Sequence, residues 1–124
     1  MLNVLLVALG GGLGAACRYG VSLAMPVKPG EWPWATFSIN VMGSLLIGVL
    51  AGWLARNADG EQWRLFLGVG VLGGFTTFSA YSLETLRMIE RGDWAGAGLY
   101  ALGSVAAGLA AVAIGAEFAK RIAA

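Results

Sequence analysis

Four long apolar segments, separated by short clusters of charged residues, constrain this chain more than any other feature of its sequence. They cover residues 2–25, 35–55, 64–89 and 95–118. Each segment is about as long as the roughly 20 residues that a helix needs to cross the hydrocarbon core of a bilayer. All five tryptophans lie at or near the segment ends, where aromatic rings settle at the level of the lipid headgroups: Trp32, Trp34, Trp53, Trp63 and Trp94. We therefore predict an all-α membrane protein with four transmembrane helices in a single membrane domain, residues 1–124.

The composition argues against a soluble helix bundle and against two kinds of function. Hydrophobic residues make up 58% of the chain and charged residues only 12%, whereas a soluble domain is about 25% charged. The net charge of +1 offers no basic surface for nucleic acid. With no histidine and a single cysteine, Cys17, the chain cannot form an intrachain disulfide or a histidine-based metal or general-base site. We expect neither enzymatic activity nor a nucleic-acid partner.

The eight basic residues of the chain are nearly balanced between the two sides of the membrane. One side carries Arg56, Arg64, Lys120 and Arg121. The other carries Lys28, Arg87 and Arg91, and also Arg18 if its side chain snorkels towards the first loop. Because the basic residues of the loops normally fix the orientation of a membrane protein, this balance predicts insertion in both orientations. We expect an antiparallel homodimer.

The stretch GGFTTFSAYS, residues 73–82, places two glycines, two threonines and two serines inside the third apolar segment. Each glycine costs about 1 kcal/mol relative to alanine in a helix, and threonine hydroxyls compete for backbone hydrogen bonds. We predict that the third helix is broken near the bilayer midplane, at residues 73–77. Protein or a water-filled cavity must enclose such a break. Its carbonyls suit a cation and its N–H groups an anion, although a kink that serves packing alone is the alternative.

Other polar residues within the apolar segments are candidates for an ion path. Asn40 brings two N–H donors that suit an anion, but hydrogen bonding between helices explains it equally well. Tyr100, Ser104 and Gly108 follow the spacing i, i+4, i+8 and therefore share one face of the fourth helix. Two hydroxyls on an otherwise apolar helix form a candidate pore wall.

Two further pairs occur at helical spacing in the third segment. Phe78 and Tyr81 share a face, and the positive edges of their rings can favour an anion, although packing in the core is the more usual role of such a pair. Glu84 and Arg87 are three residues apart, which predicts an ion pair across one helix face.

Small residues in the first, second and fourth segments allow helix backbones to approach closely. They include Gly10, Gly11, Gly12, Gly14, Gly43, Ser44, Gly48, Gly103, Ser104 and Gly108. Association between two chains explains them, and so does packing within one chain.

Three blocks of sequence resemble one known family. They are GGGLGAACRYG at residues 10–20, WATFSINVMGSLLIG at 34–48 and GVLGGFTTFSAYSLE at 70–84. With them the chain resembles, over nearly its whole length, the small bacterial fluoride channels called Fluc or CrcB. The resemblance implies a dual-topology homodimer in the bacterial inner membrane with two pores at the subunit interface. Fluoride would leave the cytoplasm passively through these pores, which relieves its toxicity.

The resemblance also implies roles for individual residues. A structural Na⁺ would be held at the dimer interface by backbone carbonyls of Gly73 and Thr76 from both subunits. Asn40 matches the pore asparagine of the family, Phe78 matches the first of two phenylalanines whose ring edges face fluoride, and Arg18 matches an arginine near a pore vestibule. The other implied pore residues are Thr77, Ser79, Tyr81, Ser82, Tyr100 and Ser104.

Two positions depart from the family pattern. Tyr81 stands where the second phenylalanine is usual, so its hydroxyl can bond either the ion or a neighbouring group. Gly108 stands where a hydroxyl residue is sometimes found, so one donor is missing from the stripe on the fourth helix.

Two other functions compete with a fluoride channel. A small dual-topology multidrug transporter shares the length, the number of spans and the charge balance. It needs a carboxylate in its first span, and this chain has none there. A membrane assembly subunit without transport activity would explain the glycines but not the polar residues near the break.

Overall fold

The computed structural model describes residues 1–123, and these residues form a bundle of helices. The elements in chain order are α1 (Leu2–Ala24), α2 (Trp34–Leu54), α3 (Glu61–Trp63), a π-helix π1 (Arg64–Leu72), α4 (Gly73–Phe75), α5 (Phe78–Glu90) and α6 (Trp94–Ala123). Four stretches of the described chain are long and apolar enough to cross a membrane: Leu2–Ala24, Trp34–Leu54, Glu61–Glu90 and Trp94–Ile122. The predicted all-α membrane fold is confirmed.

Short turns join the four spans, and local sequence explains where two of them bend. The backbone of Gly30 in the first loop and of Gly92 in the third has a positive φ, of 90° and 81°, which glycine adopts without steric cost. Asp93 follows Gly92 and accepts a hydrogen bond of 2.9 Å from the Gly96 N–H. A carboxylate in this position caps the first turn of the next helix, so the third loop ends where α6 begins.

The third span is broken at Thr76 and Thr77, as the sequence predicts. Both residues are extended, with φ and ψ of −80° and 157° at Thr76 and of −147° and 112° at Thr77. The Thr77 hydroxyl accepts a hydrogen bond of 3.1 Å from the Ala80 N–H. Thr77 is therefore the N-cap of α5, a position for which threonine is well suited because its oxygen satisfies one of the free N–H groups.

The nine residues before α4 form a π-helix, for which the sequence contains no signal. π-Helical turns are rare and are often found close to functional sites. π1 packs against α1. Its backbone approaches α1 so closely that a methyl group on Gly70 would lie 3.0 Å from the Cα of Gly10.

Glycines allow two pairs of spans to pack with their backbones in contact. A Cβ on Gly14 of α1 would overlap the carbonyl oxygen of Val71, and one on Gly48 of α2 would overlap that of Val112 in α6. By contrast, no described atom outside α1 lies within 4 Å of a Cβ placed on Gly12. Packing within the chain therefore accounts for Gly14 and Gly48.

Candidate functional site

A groove of about 420 Å³ opens on the bundle surface beside the break in the third span. Residues from α2, the third span and α6 form its wall. Many of the residues predicted for the site lie there: Asn40, Gly73, Thr76, Thr77, Phe78, Tyr81 and Ser104. The groove therefore brings the Asn40 amide together with several of the hydroxyls singled out in the sequence. A second groove, of about 490 Å³, is lined by apolar side chains such as Leu46, Leu67 and Trp63 and offers no polar group to an ion.

Asn40 holds the broken backbone in place with both ends of its amide. Its Nδ2 donates to the Thr77 carbonyl over 3.0 Å, and its Oδ1 accepts from the Thr77 N–H over 2.8 Å. These two bonds replace helical bonds that the extended backbone cannot make. Hydrogen bonding between helices, the alternative left open for Asn40, is therefore present. Because Nδ2 carries a second N–H and Asn40 lines the groove, the same amide can also donate to an ion.

The backbone carbonyls at the break differ in whether the protein satisfies them. Gly74 accepts from the Arg18 Nε over 3.1 Å, and Thr77 accepts from Asn40. Within residues 1–123, no hydrogen-bond donor contacts the carbonyl oxygens of Gly73 and Thr76. Oxygen atoms without donors are the ligands that small hard cations prefer. The backbone of Gly73 and Thr76 thus fits the Na⁺ that the resemblance implies.

Arg18 reaches the break instead of the first loop. Its Nε bonds the carbonyl of Gly74, which lies 56 residues away in the sequence. The charge count left open whether Arg18 snorkels towards the first loop, and the structure instead has its Nε bonded to a partly buried carbonyl of the third span. The role of Arg18 near a vestibule stays a prediction.

Three aromatic rings form a row from the exposed surface to the core. The ring centroids of Phe78 and Tyr81 are 5.6 Å apart, and those of Tyr81 and Tyr100 are 5.5 Å apart. Phe78 is 79% exposed in the single chain, whereas Tyr100 is fully buried. The Tyr81 hydroxyl donates to the Ala101 carbonyl over 2.9 Å. Of the two options for this hydroxyl, the structure contains the bond to a neighbouring group.

Tyr100 lies behind the groove, in a hydrogen-bonded cluster with a carboxylate. Glu84 accepts from the Tyr100 hydroxyl over 2.8 Å and from the Thr36 hydroxyl over 2.7 Å. The predicted ion pair of Glu84 with Arg87 is wrong, since the ion pairs among the described residues are Arg64–Glu61 and Arg121–Glu117. Sequence reasoning missed this cluster, because its members come from three spans and no spacing links them.

The predicted serines occupy different surroundings. The Ser104 Oγ is buried beside the groove and has no hydrogen-bond partner among the described residues. Ser79 and Ser82 are exposed and lie outside the groove wall. The Ser79 hydroxyl is 3.3 Å from that of Thr77, close enough for a hydrogen bond.

Comparison with known proteins gives consistent matches along the chain. The family profile described as CrcB-like protein, Camphor Resistance (CrcB), matches residues 5–116. A protein of Novosphingobium aromaticivorans named Fluoride-specific ion channel FluC is 53% identical over 120 residues, which make up 94% of this chain and 95% of the relative. Proteins of the same name from Methylobacterium nodulans and Hyphomonas neptunium are 55% and 54% identical and cover 90% and 98% of this chain.

These matches and the fold agree with one another. Residues 1–123 contain four apolar spans of membrane-crossing length, and the relatives come from bacteria. It is therefore a multi-pass membrane protein of the bacterial inner membrane. Since the profile covers most of its length and full-length relatives share half of its residues, the chain belongs to the CrcB family.

Proposed function

We propose that this protein is a fluoride-selective channel through which fluoride leaves the cytoplasm passively, which relieves fluoride toxicity. The observation that carries the proposal is the groove at the break, where the Asn40 amide and the Ser104 hydroxyl converge inside an apolar bundle. The name of its relatives, Fluoride-specific ion channel FluC, supports the choice of ion.

Fluoride is small and strongly hydrated, so a pore must offer hydrogen-bond donors in place of water. Ser104 has an unpaired hydroxyl, and Asn40 keeps one N–H beyond its bond to Thr77. At the start of α5, the N–H groups of Phe78 and Ser79 have no acceptor within residues 1–123. A helix N-terminus carries a partial positive charge that favours anions. Several such donors of moderate strength would let the ion pass without trapping it.

A second copy of the chain would complete the channel. Gly73 is exposed in the single chain, its carbonyl has no donor in the described structure, and Phe78 is 79% exposed. Lipid cannot satisfy backbone groups of this kind, so we expect a partner to cover them. The near balance of basic residues on the two sides favours an antiparallel partner, which gives a twofold axis in the membrane plane and two equivalent pores.

A structural Na⁺ at the dimer interface is part of the proposal. The carbonyls of Gly73 and Thr76, from both subunits, would hold it, since the protein offers these oxygens no donor. When bound, the ion supplies a fixed positive charge near both pores. The rest of each pore consists of side chains and N–H groups of the protein itself.

Replacing Na⁺ with a large organic cation on both sides of the membrane is expected to lower fluoride flux at least about tenfold. Without the cation, the carbonyls of Gly73 and Thr76 would be buried unpaired, which costs about 1–3 kcal/mol for each group. Fluoride efflux from liposomes that contain the purified protein measures the effect. Restoring Na⁺ to the same vesicles is the control, and full flux in its absence would exclude the site.

The proposed function itself is tested by comparing fluoride and chloride efflux from such liposomes. We expect rapid fluoride efflux and at least about a hundredfold slower chloride efflux, because a narrow pore cannot replace the hydration of the larger ion with the same donors. Lack of fluoride flux would favour a multidrug transporter or an assembly subunit. Equal flux of the two ions would contradict selectivity.

A further inference from the structure

The Ser104 hydroxyl lacks the partner that serine normally finds in a helix. Serine within a helix commonly donates to a backbone carbonyl of the preceding turn, three or four residues earlier. For Ser104 these acceptors belong to Ala101 and Tyr100. The structure shows neither bond, although the Ser104 Oγ is buried and has no other partner within residues 1–123.

One of the two acceptors is occupied from another helix. The Tyr81 hydroxyl of α5 donates to the Ala101 carbonyl over 2.9 Å. Because Ala101 lies inside α6, its carbonyl also accepts the helical N–H bond, and these two bonds use both of its lone pairs. A donor from Ser104 would have to displace one of them. Tyr81 and Ser104 both line the groove, so this competition takes place in its wall.

We propose that Tyr81 is a positioning residue that keeps the Ser104 hydroxyl available to an anion in the groove. Its own hydroxyl occupies the Ala101 carbonyl, and the Ser104 Oγ makes no bond to the Tyr100 carbonyl either, so the Ser104 O–H is left free for an ion that enters the groove. The inference rests on the proposed function, since the anion in question is fluoride. The Tyr81 hydroxyl then affects the ion through Ser104 and does not need to contact the ion itself.

A double-mutant cycle tests the link between the two residues. Tyr81→Phe, Ser104→Ala and the double variant are compared with the wild type by fluoride efflux from liposomes. We expect Tyr81→Phe to slow efflux about fivefold, the effect of one hydrogen bond. In the Ser104→Ala background, which is itself slowed, Tyr81→Phe should have no further effect. A purely structural role of the Tyr81 hydroxyl would slow efflux equally in both backgrounds.

Control experiments distinguish a failure of this inference from a failure of the proposed function. Tyr19→Phe removes the same hydroxyl from an exposed residue of α1 and should leave efflux unchanged. Equal slowing by Tyr81→Phe in both backgrounds, or none in either, would overturn the inference while leaving the proposed function intact. If Tyr81→Phe does not fold, Ser104→Ala still tests the inference, because wild-type efflux in that variant would overturn it. No fluoride efflux from the wild type would overturn the proposed function as well.

Discussion

Replacing Asn40 with aspartate is expected to lower fluoride flux at least about tenfold while the four spans stay folded. The amide of Asn40 both donates to and accepts from the backbone of Thr77. A carboxylate keeps the acceptor but loses the donor, so it places negative charge beside the Thr77 carbonyl and inside the proposed anion path. The like charge raises the barrier for a passing anion, and about 1.4 kcal/mol of added barrier corresponds to a tenfold slower rate.

The measurement combines fluoride efflux from liposomes with far-ultraviolet circular dichroism, which reports the helix content. Asn57→Asp is the matched control, because Asn57 is exposed in the second loop and its side-chain amide donates to the Trp53 carbonyl, its one acceptor within residues 1–123. It should conduct like the wild type. Wild-type flux in Asn40→Asp would remove Asn40 from the ion path and show that the break tolerates loss of this donor.

Replacing Gly14 with alanine is expected to prevent α1 from packing against the third span. The added methyl group would overlap the Val71 carbonyl oxygen and lie 2.8 Å from the Phe75 nitrogen. Both are backbone atoms that cannot move as a side chain can, so the helices would have to separate. We expect a loss of at least about 3 kcal/mol in the free energy of unfolding, the upper range for overpacking.

Gly12→Ala is the matched control on the same helix, since a methyl group there meets no described atom within 4 Å outside α1. The yield of monodisperse protein in detergent and its melting temperature measure the difference. We expect Gly12→Ala to resemble the wild type and Gly14→Ala to give little folded protein. Similar melting temperatures for both variants would contradict the tight backbone contact between α1 and the third span.

The sequence predicted the features that depend on local chemistry. A run of apolar residues between charged clusters is enough to identify a span, because the hydrocarbon core requires apolar side chains along the whole length of the helix. The break at Thr76 and Thr77 followed from glycines and β-branched hydroxyl residues, whose helix-weakening effect does not depend on what packs around them.

Features that depend on which helices face each other could not be predicted. Glu84 pairs with the hydroxyls of Thr36 and Tyr100, not with Arg87 on its own helix, because α2 and α6 bring those hydroxyls to it. Arg18 bonds Gly74 for a similar reason. The spacing of residues along a helix predicts hydrogen-bond partners on that helix only. The partners of Glu84 and Arg18 belong to other spans.

The sequence contains no recognisable signal for the π-helix. Arg64–Leu72 has an apolar pattern that suits an α-helix of the same length. The close contact of Gly70 with α1 is known only once the two spans are placed side by side. The same holds for Tyr81. From the sequence its hydroxyl can donate either to the ion or to a neighbouring group, and only the structure shows that it donates to the Ala101 carbonyl of α6.

The bonds at the break also bear on how the channel can move. A broken helix usually offers a hinge, because its two halves share few hydrogen bonds. Here Asn40 fixes Thr77 from α2, and Arg18 fixes Gly74 from α1. Hydrogen bonds from α1 and α2 therefore hold the backbone on both sides of the break. Bending at the break would require α1 or α2 to release the backbone, so these bonds oppose a change in the width of the groove.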